Sequence, residues 1–439
     1  MQGTAKFGVE QVEARLSELI GRDKVSVDSM LSVQLFGHSQ PLVRVVPESE
    51  EEAASVLQMT SEYGLTVSPG GALTQMGMGN VPAPIDVVLS TERLNQVLEY
   101  SPADMVVSAQ AGVSLVQLQA VLQHHRQFLP LDPVVSPDTT LGGLVATAVS
   151  GPLRTLYGGV RDLTIGLRTL YPDGRLVKTG GKVVKNVAGY DMTKLFIGSL
   201  GTLAFISEVA FKLRPLPHHT ELCLLSGSAE QVSQLSNRVI HSHLIASRME
   251  ALSGGLTHLH SSERPWVVVM ESHENETAAT YQTQQLTVWA RELGMDLEVM
   301  GGAEAQQFWQ SYQNLLWPSE VTLRLTVPPS KMTEIVERLR LNADALTTQT
   351  RISAGTLTGI AKVFLTGGTP QEHLQMVAWG RDLVGLYGGR AVLEKASVML
   401  RQTVDSFGPV GSDFALMQGI KAKIDPDRRF SPGRFVGGI

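Results

Sequence analysis

The stretch SPDTTLGGLVATAVSGPLRTLYGGVRD, residues 136–162, decides the fold of this chain. In it two threonines are followed, after one leucine, by a Gly-Gly pair and several small residues. A second glycine-rich stretch, SPGGALTQMGMG at residues 68–79, follows a predicted strand. Successive glycines let backbone N–H groups converge on an anion, because no side chain stands in the way. Together the two stretches indicate a ligand site built from loops.

The stretch of residues 68–79 does not fit the common nucleotide-binding loops. Residues 68–79 contain no Gly-Lys-Ser/Thr sequence and therefore do not form a Walker loop. The spacing of Gly77, Gly79 and Pro82 does not match G-x-G-x-x-G, the fingerprint of Rossmann dinucleotide-binding folds. Taken alone, a glycine-rich turn can also be a structural element without a ligand.

Composition restricts the classes of protein that the chain can represent. With 43% hydrophobic residues and a formal net charge of -6, we expect a folded protein that does not bind nucleic acid. A single cysteine, Cys223, excludes a disulfide framework and a self-held iron–sulfur cluster. Paired histidines such as His124 and His125 lack further ligands at suitable spacing, so we predict no metal site. The sequence shows no signal peptide and no membrane-spanning run, so we expect a cytoplasmic protein.

A set of motifs beyond the glycines carries a specific resemblance. In chain order the motifs are SPGGALTQMG (68–77), TTLGGLVAT (139–147), YGGVRD (157–162), YPDG (171–174), KNVAGYD (185–191) and GSLGTL (198–203). Their order and spacing resemble the flavin domain of the vanillyl-alcohol oxidase family, the type named after p-cresol methylhydroxylase (PCMH). The resemblance covers residues 38–217. Within the family, residues 182–215 and the closing FSPGRF (430–435) are similar to the FAD-binding E subunit of bacterial glycolate oxidase.

The resemblance implies that FAD lies between the two glycine-rich stretches. Backbone donors of the first stretch would face the pyrophosphate, and small residues of the second would admit the other side of the cofactor. The implied cofactor-binding residues are Pro69, Gly70, Gly71, Ala72, Leu73, Thr74, Gln75, Pro137, Asp138, Thr139, Thr140, Gly142, Gly143, Ala146, Thr147, Gly201 and Ile206. Some family members attach flavin to a histidine in the first loop. Residues 69–79 contain neither histidine nor cysteine, so we expect non-covalent FAD.

Two departures from the family pattern bear on catalysis. Catalytic relatives usually carry an acidic residue in Gly-Ser-Glu-Gly-Thr, where this chain has Leu200. They also carry a His-Ala-Gly-Asp-Gly-Asn-type motif in the C-terminal domain, and residues 218–439 contain nothing similar. The resemblance therefore implies an FAD-binding subunit of a glycolate oxidase/dehydrogenase complex and leaves the catalytic residues unknown.

This interpretation implies partners. The complex would oxidise a small 2-hydroxy acid to a 2-oxo acid and pass electrons to an iron–sulfur subunit, because one cysteine cannot hold the clusters. It would also contain a catalytic FAD subunit, and any membrane association would be peripheral and made through the complex. Two alternatives stay open: a self-contained FAD-dependent lactate or glycolate dehydrogenase, and a structural subunit that has lost FAD. The missing histidine motif counts against the first, and the intact glycines count against the second.

The expected fold class is α+β, in four segments. We predict an N-terminal helix and loop (1–37) and a PCMH-type FAD-binding domain of two α/β subdomains (38–217). A cap-like α/β domain with an antiparallel sheet (218–420) follows, and then a tail that returns to the FAD domain (421–439). Strand and helix units alternate in the cap, so we expect helices to cover one face of its sheet.

Polar residues outside the glycine-rich stretches give less specific predictions. Asn186, Tyr190 and Asp191 are expected to form a buried hydrogen-bonded group. Arg324, on a predicted strand, could bind a substrate carboxylate or could simply be solvated. Arg434, in SPGR, could meet a phosphate of the cofactor.

Overall fold

The computed structural model describes residues 8–181, 190–259 and 263–439. The first part of the chain forms a four-stranded sheet in the order β1-β2-β4-β3, in which β2, β4 and β3 are parallel and β1 is antiparallel to β2. Its elements are α1 (Val9–Ile20), β1 (Val25–Asp28), α2 (Ser29–Phe36), β2 (Leu42–Val45), α3 (Glu50–Glu62), β3 (Val67–Gly70) and β4 (Val87–Ser90). Leu16 of α1 and Leu57 of α3 pack against Val43 and Val87 in one buried cluster. Burial of such side chains contributes about 1.5–3 kcal/mol each.

The N-terminal segment differs from the single helix and loop expected for residues 1–37. Gly21, at a φ of 104°, ends α1, and a short strand follows. The Asp28 carboxylate then accepts a hydrogen bond from Leu31 N at 2.7 Å and starts a second helix, α2. An N-terminal aspartate of this kind satisfies an otherwise unpaired donor, which explains the extra helix.

The second sheet is antiparallel, in the order β5-β6-β10-β8-β9. This part of the chain contains β5 (Val97–Ser101), β6 (Val106–Gln110), α4 (Leu115–Gln123), β7 (Gln127–Phe128), α5 (Leu141–Thr147), α6 (Arg154–Tyr157), α7 (Val160–Leu163), β8 (Thr164–Leu170), β9 (Leu176–Gly180), α8 (Thr193–Phe196), β10 (Phe205–Lys212) and β11 (Arg214–Pro215). Leu141 and Leu144 of α5 are buried with Val107 of β6 and Val209 of β10. This packing holds α5 against the sheet.

The third sheet has eight antiparallel strands in the order β15-β12-β14-β13-β17-β18-β16-β19. Its elements are β12 (His219–Gly227), α9 (Ala229–Ile240), β13 (Arg248–Gly254), β14 (Trp266–Glu274), α10 (Glu276–Leu293), β15 (Asp296–Gly301), α11 (Gly302–Leu316), β16 (Val321–Thr326), α12 (Pro329–Ala343), β17 (Gln349–Gly355), β18 (Ile360–Thr366), α13 (Pro370–Gly385) and β19 (Arg390–Lys395). We call this unit the cap.

Helices lie on both faces of the cap sheet, so the prediction that they cover one face is wrong. Side chains alternate along a strand, and Leu225 of β12 belongs to a buried cluster that includes side chains of α9, α10, α12 and α13. Its neighbour Leu224 faces the other way and packs with Phe308 and Trp309 of α11. Helix α11 therefore covers part of the second face.

The chain ends beside the first sheet. After α14 (Val398–Thr403) and α15 (Phe414–Ile424), the tail runs along β3, where Val67 N donates to Arg429 O and Ser431 N donates to Val67 O, both at 2.9 Å. The Lys421 ammonium bonds to the Asp425 carboxylate at 2.7 Å, and both side chains are buried. This buried ion pair fixes the turn from α15 into the tail.

Two further observations complete the fold. Asn186 lies outside the described residues, and Tyr190 is 95% exposed. The prediction of a buried hydrogen-bonded group that contains Tyr190 and Asp191 is therefore wrong, because Asp191 is exposed as well. Over the described ranges, no helix combines the length and apolarity needed to cross a membrane.

Candidate functional site

A narrow cleft with about 60 Å³ of enclosed space lies between the loop after β3 and helix α5. Fourteen of the seventeen residues predicted to bind cofactor line it: Pro69, Gly70, Gly71, Ala72, Leu73, Thr74, Gln75, Thr140, Gly142, Gly143, Ala146, Thr147, Gly201 and Ile206. Loops that are separated by about seventy residues in sequence thus form the two walls of one cleft.

Helix α5 forms one wall of the cleft. Some of its small residues permit close packing, and others line the cleft. The Thr140 hydroxyl accepts a hydrogen bond from Gly143 N at 3.2 Å and caps the helix. A Cβ on Gly142 would lie 2.8 Å from the Ala111 Cβ, so this glycine permits close packing against the chain just after β6. A Cβ on Gly143 would meet nothing nearer than the Thr140 hydroxyl, at 3.3 Å. Gly143 and, one turn later, Ala146 therefore keep the cleft open.

The loop of residues 69–79 forms the facing wall, and threonine side chains tie it to α5. A Cβ on Gly71 would come within 2.2 Å of the Thr140 hydroxyl, so the two walls touch there. The Thr74 and Thr139 hydroxyls form a hydrogen bond of 2.9 Å. Leu73 has a φ of 59°, in the left-handed region that non-glycine residues rarely adopt. The loop is therefore held in a specific, partly strained shape.

Three predicted residues do not reach the cleft lining. Pro137 and Asp138 are exposed. Thr139 is buried, and its hydroxyl is hydrogen-bonded to the hydroxyl of Thr74. The structure brings these residues close to the cleft without placing them on its surface.

Six residues beyond the seventeen line the cleft, and of these Arg434 alone was predicted as a possible phosphate contact: Met76, Thr91, Leu200, Ala204, Phe205 and Arg434. Most are apolar and carry no chemical signal in the sequence. Leu200 adopts a φ of 54°, and its carbonyl accepts a hydrogen bond from Arg434. Leu200 was noted in the sequence as a departure from Gly-Ser-Glu-Gly-Thr, but that departure did not indicate that it lines the cleft.

Arg434 is the charged residue on the cleft lining. Its guanidinium is buried and donates to the carbonyls of Gln75, Met78 and Leu200 at 3.2–3.3 Å. Burial lowers the pKa of Arg434 to about 9, and repulsion from Arg401 adds to this effect. Arg434 thus joins the first loop to the turn at Leu200 and places a positive charge beside the cleft.

A second cavity, of about 350 Å³, adjoins the cleft, because Thr74 and Gln75 line both. From the FAD-domain side, Gly77, Met78, Val134 and Val149 line it as well. Its remaining wall comes from the cap side of the chain: Trp317, Glu320, Thr322, Lys362, Phe364, Glu394, Lys395, Ala396 and Ser397. The cavity is of the size usual for small-molecule sites.

An ion cluster lies at this cavity. The Glu394 carboxylate contacts Arg324 Nε and Lys362 Nζ, each at 2.8 Å. Burial alone would raise the pKa of Glu394, but the two cations outweigh burial and hold the pKa below its ordinary value. Arg324 is therefore paired with Glu394. It is neither simply solvated nor free to bind a substrate carboxylate.

A second polar network joins the FAD domain to the cap. Arg248 of β13 contacts Asp132 at 3.0 Å and also Glu271 of β14. The imidazole of His273 contacts Glu271 at 2.9 Å and Tyr157 Oη at 3.0 Å. Burial raises the pKa of Asp132, although Arg248 opposes this. Partly buried charge networks of this kind fix the relative position of two units, and so the cavity between them keeps its shape.

The lining of the cleft has features that a site for a flavin cofactor needs. The cleft runs between two walls of small residues, its loop backbone carries few obstructing side chains, and one cation lies beside it. Gly143 and Ala146 keep the α5 wall of the cleft free of large side chains. The fold and the cleft together define a flavoprotein with a PCMH-type FAD-binding fold, whose cofactor is FAD.

Comparisons with known proteins agree with this class. Residues 41–180 match the protein-family model described as "FAD binding domain". The structure is similar to 4-ethylphenol oxidase from Gulosibacter chungangensis, with a TM-score of 0.75 and 14% identity over 99% of this chain and 98% of that chain. It is also similar to p-cresol methylhydroxylase, with a TM-score of 0.74 and 15% identity over the same shares of the two chains. The predicted fold class and the FAD cofactor are confirmed.

Sequence relatives are dehydrogenases and oxidase subunits. The chain is 28% identical to the mitochondrial D-lactate dehydrogenase (cytochrome) of Arabidopsis thaliana, over 70% of this chain and 56% of that protein. It is 31% identical to glycolate oxidase subunit GlcD of Bacillus subtilis, over 54% and 48%. It is 38% identical to glycolate oxidase subunit GlcE of Escherichia coli, over 28% and 35%. The chain spans about half the length of the first two relatives.

Proposed function

We propose that this chain is the FAD-binding subunit of a complex that oxidises a small 2-hydroxy acid, such as glycolate, to a 2-oxo acid. The similarity to glycolate oxidase subunits and D-lactate dehydrogenase supports the substrate class. FAD in the cleft supplies the two-electron acceptor that such an oxidation needs. An iron–sulfur subunit would receive the electrons, since Cys223 is the chain's one cysteine.

The observation that carries the subunit proposal is the state of Glu394. Oxidation of an alcohol requires a group that accepts the hydroxyl proton, and an efficient acceptor has a pKa near the working pH. Arg324 and Lys362 hold the pKa of Glu394 below its ordinary value, so this carboxylate is a weak base. Histidine, the commonest base in such sites, is absent from the cavity-lining residues within the described part of the chain. On this proposal a catalytic sibling subunit supplies the base.

The cofactor-binding residues form part of the proposal. We infer that the cleft walls contact FAD, with the loop of residues 69–75 on one side and α5 on the other. No cleft-lining residue in the described ranges is a histidine, cysteine or tyrosine, which supports non-covalent attachment. Acid precipitation should therefore release all flavin into the supernatant as FAD, and flavin that stays with the pellet would contradict this.

A self-contained 2-hydroxy acid dehydrogenase is the second candidate. The cavity beside the cleft favours it, because it contains the cations Lys362 and Lys395 and is large enough for a small acid. A subunit that has lost FAD is disfavoured, because Gly143 and Ala146 keep the cleft open.

Turnover by the isolated chain separates the two candidates. The FAD-loaded chain is assayed with glycolate and D-lactate and a dye acceptor, alone and after co-expression with its genomic neighbours. The subunit proposal predicts little turnover alone and at least tenfold more per flavin in the complex. Equal turnover per flavin in both samples would refute the subunit proposal and establish the self-contained enzyme.

A further inference from the structure

Lys395, at the end of β19, is a cation without an ionic partner in the cavity that adjoins the cleft. Lys362, the other lysine of the cavity, is paired with Glu394 at 2.8 Å. No carboxylate of the described residues lies within 4.0 Å of the Lys395 ammonium. Burial lowers the pKa of Lys395, and no neighbouring charge contributes to the shift. The ammonium is thus partly desolvated without the compensation that such a charge usually finds.

The position of the Lys395 side chain is fixed by Trp317. Lys395 Nζ donates to the Trp317 carbonyl at 3.0 Å and lies 4.5 Å from the centroid of the indole ring. An ammonium group has three N–H donors, and the carbonyl accepts one of them. The face of the indole ring stabilises the cation electrostatically and does not take up one of the ammonium N–H donors. Donors therefore remain available for a ligand in the cavity.

The same lysine lies at the junction of the cap and the first glycine-rich loop. Ala396 N donates to Gly77 O at 3.3 Å, and a Cβ on Gly77 would lie 3.9 Å from Lys395 Cγ. Gln75, two residues before Gly77, lines both the cleft and the cavity. A ligand held by Lys395 would therefore lie next to the wall of the flavin cleft.

We propose that Lys395 is the anion-binding residue of this cavity and holds the carboxylate of a small 2-hydroxy acid or of its 2-oxo product. The inference deepens the proposed function, since it names the residue that would recognise the substrate class. A volume of about 350 Å³ admits a small acid. Thr322, on the same lining and paired in register with Lys395, adds a hydroxyl group.

Binding of oxalate to the FAD-loaded chain tests this site without turnover. Oxalate carries the carboxylate of the proposed ligands but has no hydrogen to lose, so the flavin absorbance spectrum reports binding alone. The variants are Lys395→Gln, Lys395→Arg and, as a matched control, Lys423→Gln on the exposed side of α15. FAD content and thermal midpoint are measured for each variant before the titration.

We expect Lys395→Gln to raise the Kd for oxalate about 10- to 100-fold, the value of a hydrogen bond to a charged group. Lys395→Arg should retain part of the affinity, and Lys423→Gln should match the wild type. Unchanged oxalate affinity in Lys395→Gln, or no oxalate binding by the wild type, would overturn the proposal. Loss of FAD from Lys395→Gln would overturn it as well, because the cation would then serve the cofactor.

The outcome is distinguishable from failure of the proposed function. If oxalate binds in a Lys395-dependent manner while no 2-hydroxy acid is oxidised by the chain or its complex, the anion site stands and the proposed function fails. If the complex oxidises glycolate but oxalate binding does not depend on Lys395, the proposed function stands and the assignment of Lys395 fails.

Discussion

A methyl group on Gly143 should have opposite effects on protein stability and on FAD binding. Gly143 lies inside α5, and in the protein alone its Cβ would meet only the Thr140 hydroxyl at 3.3 Å and a Thr139 methyl at 3.9 Å. Alanine in a helix is favoured over glycine by about 1 kcal/mol. The Thr140 hydroxyl must shift by a few tenths of an ångström to admit the methyl group, and with that shift the apoprotein of Gly143→Ala should be at least as stable as the wild type. Gly143 lines the cleft, so with FAD placed as proposed the same methyl group would occupy space that the cofactor needs.

The expected size of the binding effect follows from overpacking. An inserted methyl group in a filled site costs about 1–3 kcal/mol, which corresponds to about 5- to 150-fold weaker FAD binding. Gly419→Ala is the matched control, because Gly419 also lies inside a helix, α15, and its Cβ would meet nothing within 4 Å. It should gain helix stability without any change in FAD affinity.

The assay combines two measurements on apoprotein. Urea unfolding gives the stability of each variant, and quenching of FAD fluorescence on titration gives the Kd. Wild-type FAD affinity in Gly143→Ala would refute the placement of the cofactor against α5. A large loss of apoprotein stability in Gly143→Ala would refute the claim that the space beside Gly143 is empty in the protein alone.

Two further predictions concern buried charges. Burial raises the pKa of Glu250 from its ordinary 4.5 to about 8, although a hydrogen bond from Ser353 opposes this, so the folded chain binds one more proton than the unfolded chain between these pH values. The stability that this group contributes is complete below pH 4.5 and is lost as pH rises through 8. Between pH 6 and pH 9 the loss is on the order of 2 kcal/mol. In urea unfolding, Glu250→Gln should abolish this pH-dependent loss of stability. Lys421→Ala should cost about 3–5 kcal/mol, because it leaves the buried Asp425 carboxylate without its cation, whereas Lys423→Ala on the exposed side should change stability by less than about 0.5 kcal/mol. Equal effects of the two lysine substitutions on the unfolding midpoint would contradict the second prediction, and parallel pH profiles of wild type and Glu250→Gln would contradict the first.

Much of the cleft could be predicted because glycine has few alternatives at its positions. Gly142 meets Ala111, and Gly71 meets Thr140, so these contacts exclude any side chain. The motifs therefore gave both walls of the cleft. The sequence did not indicate that residues 141–147 are helical, since two adjacent glycines lower helix propensity.

The second cavity could not be predicted, because its charged residues are distant in sequence. Arg324, Lys362 and Glu394 lie on β16, β18 and β19, and each taken alone has the pattern of a solvated strand residue. Only the pairing of β16 with both β18 and β19 brings them together. Helix α11 was missed for a local reason: Gly301, which precedes it, provides no capping side chain.

The most direct test of the central claim is an experimental structure of the FAD-loaded chain with oxalate. The claim is that the cleft and the adjoining cavity form one flavin and carboxylate site. We predict electron density for FAD between residues 69–75 and α5, and for oxalate within hydrogen-bond distance of Lys395 Nζ. FAD bound away from α5, or oxalate bound at a place remote from both Lys395 and the flavin, would contradict the claim.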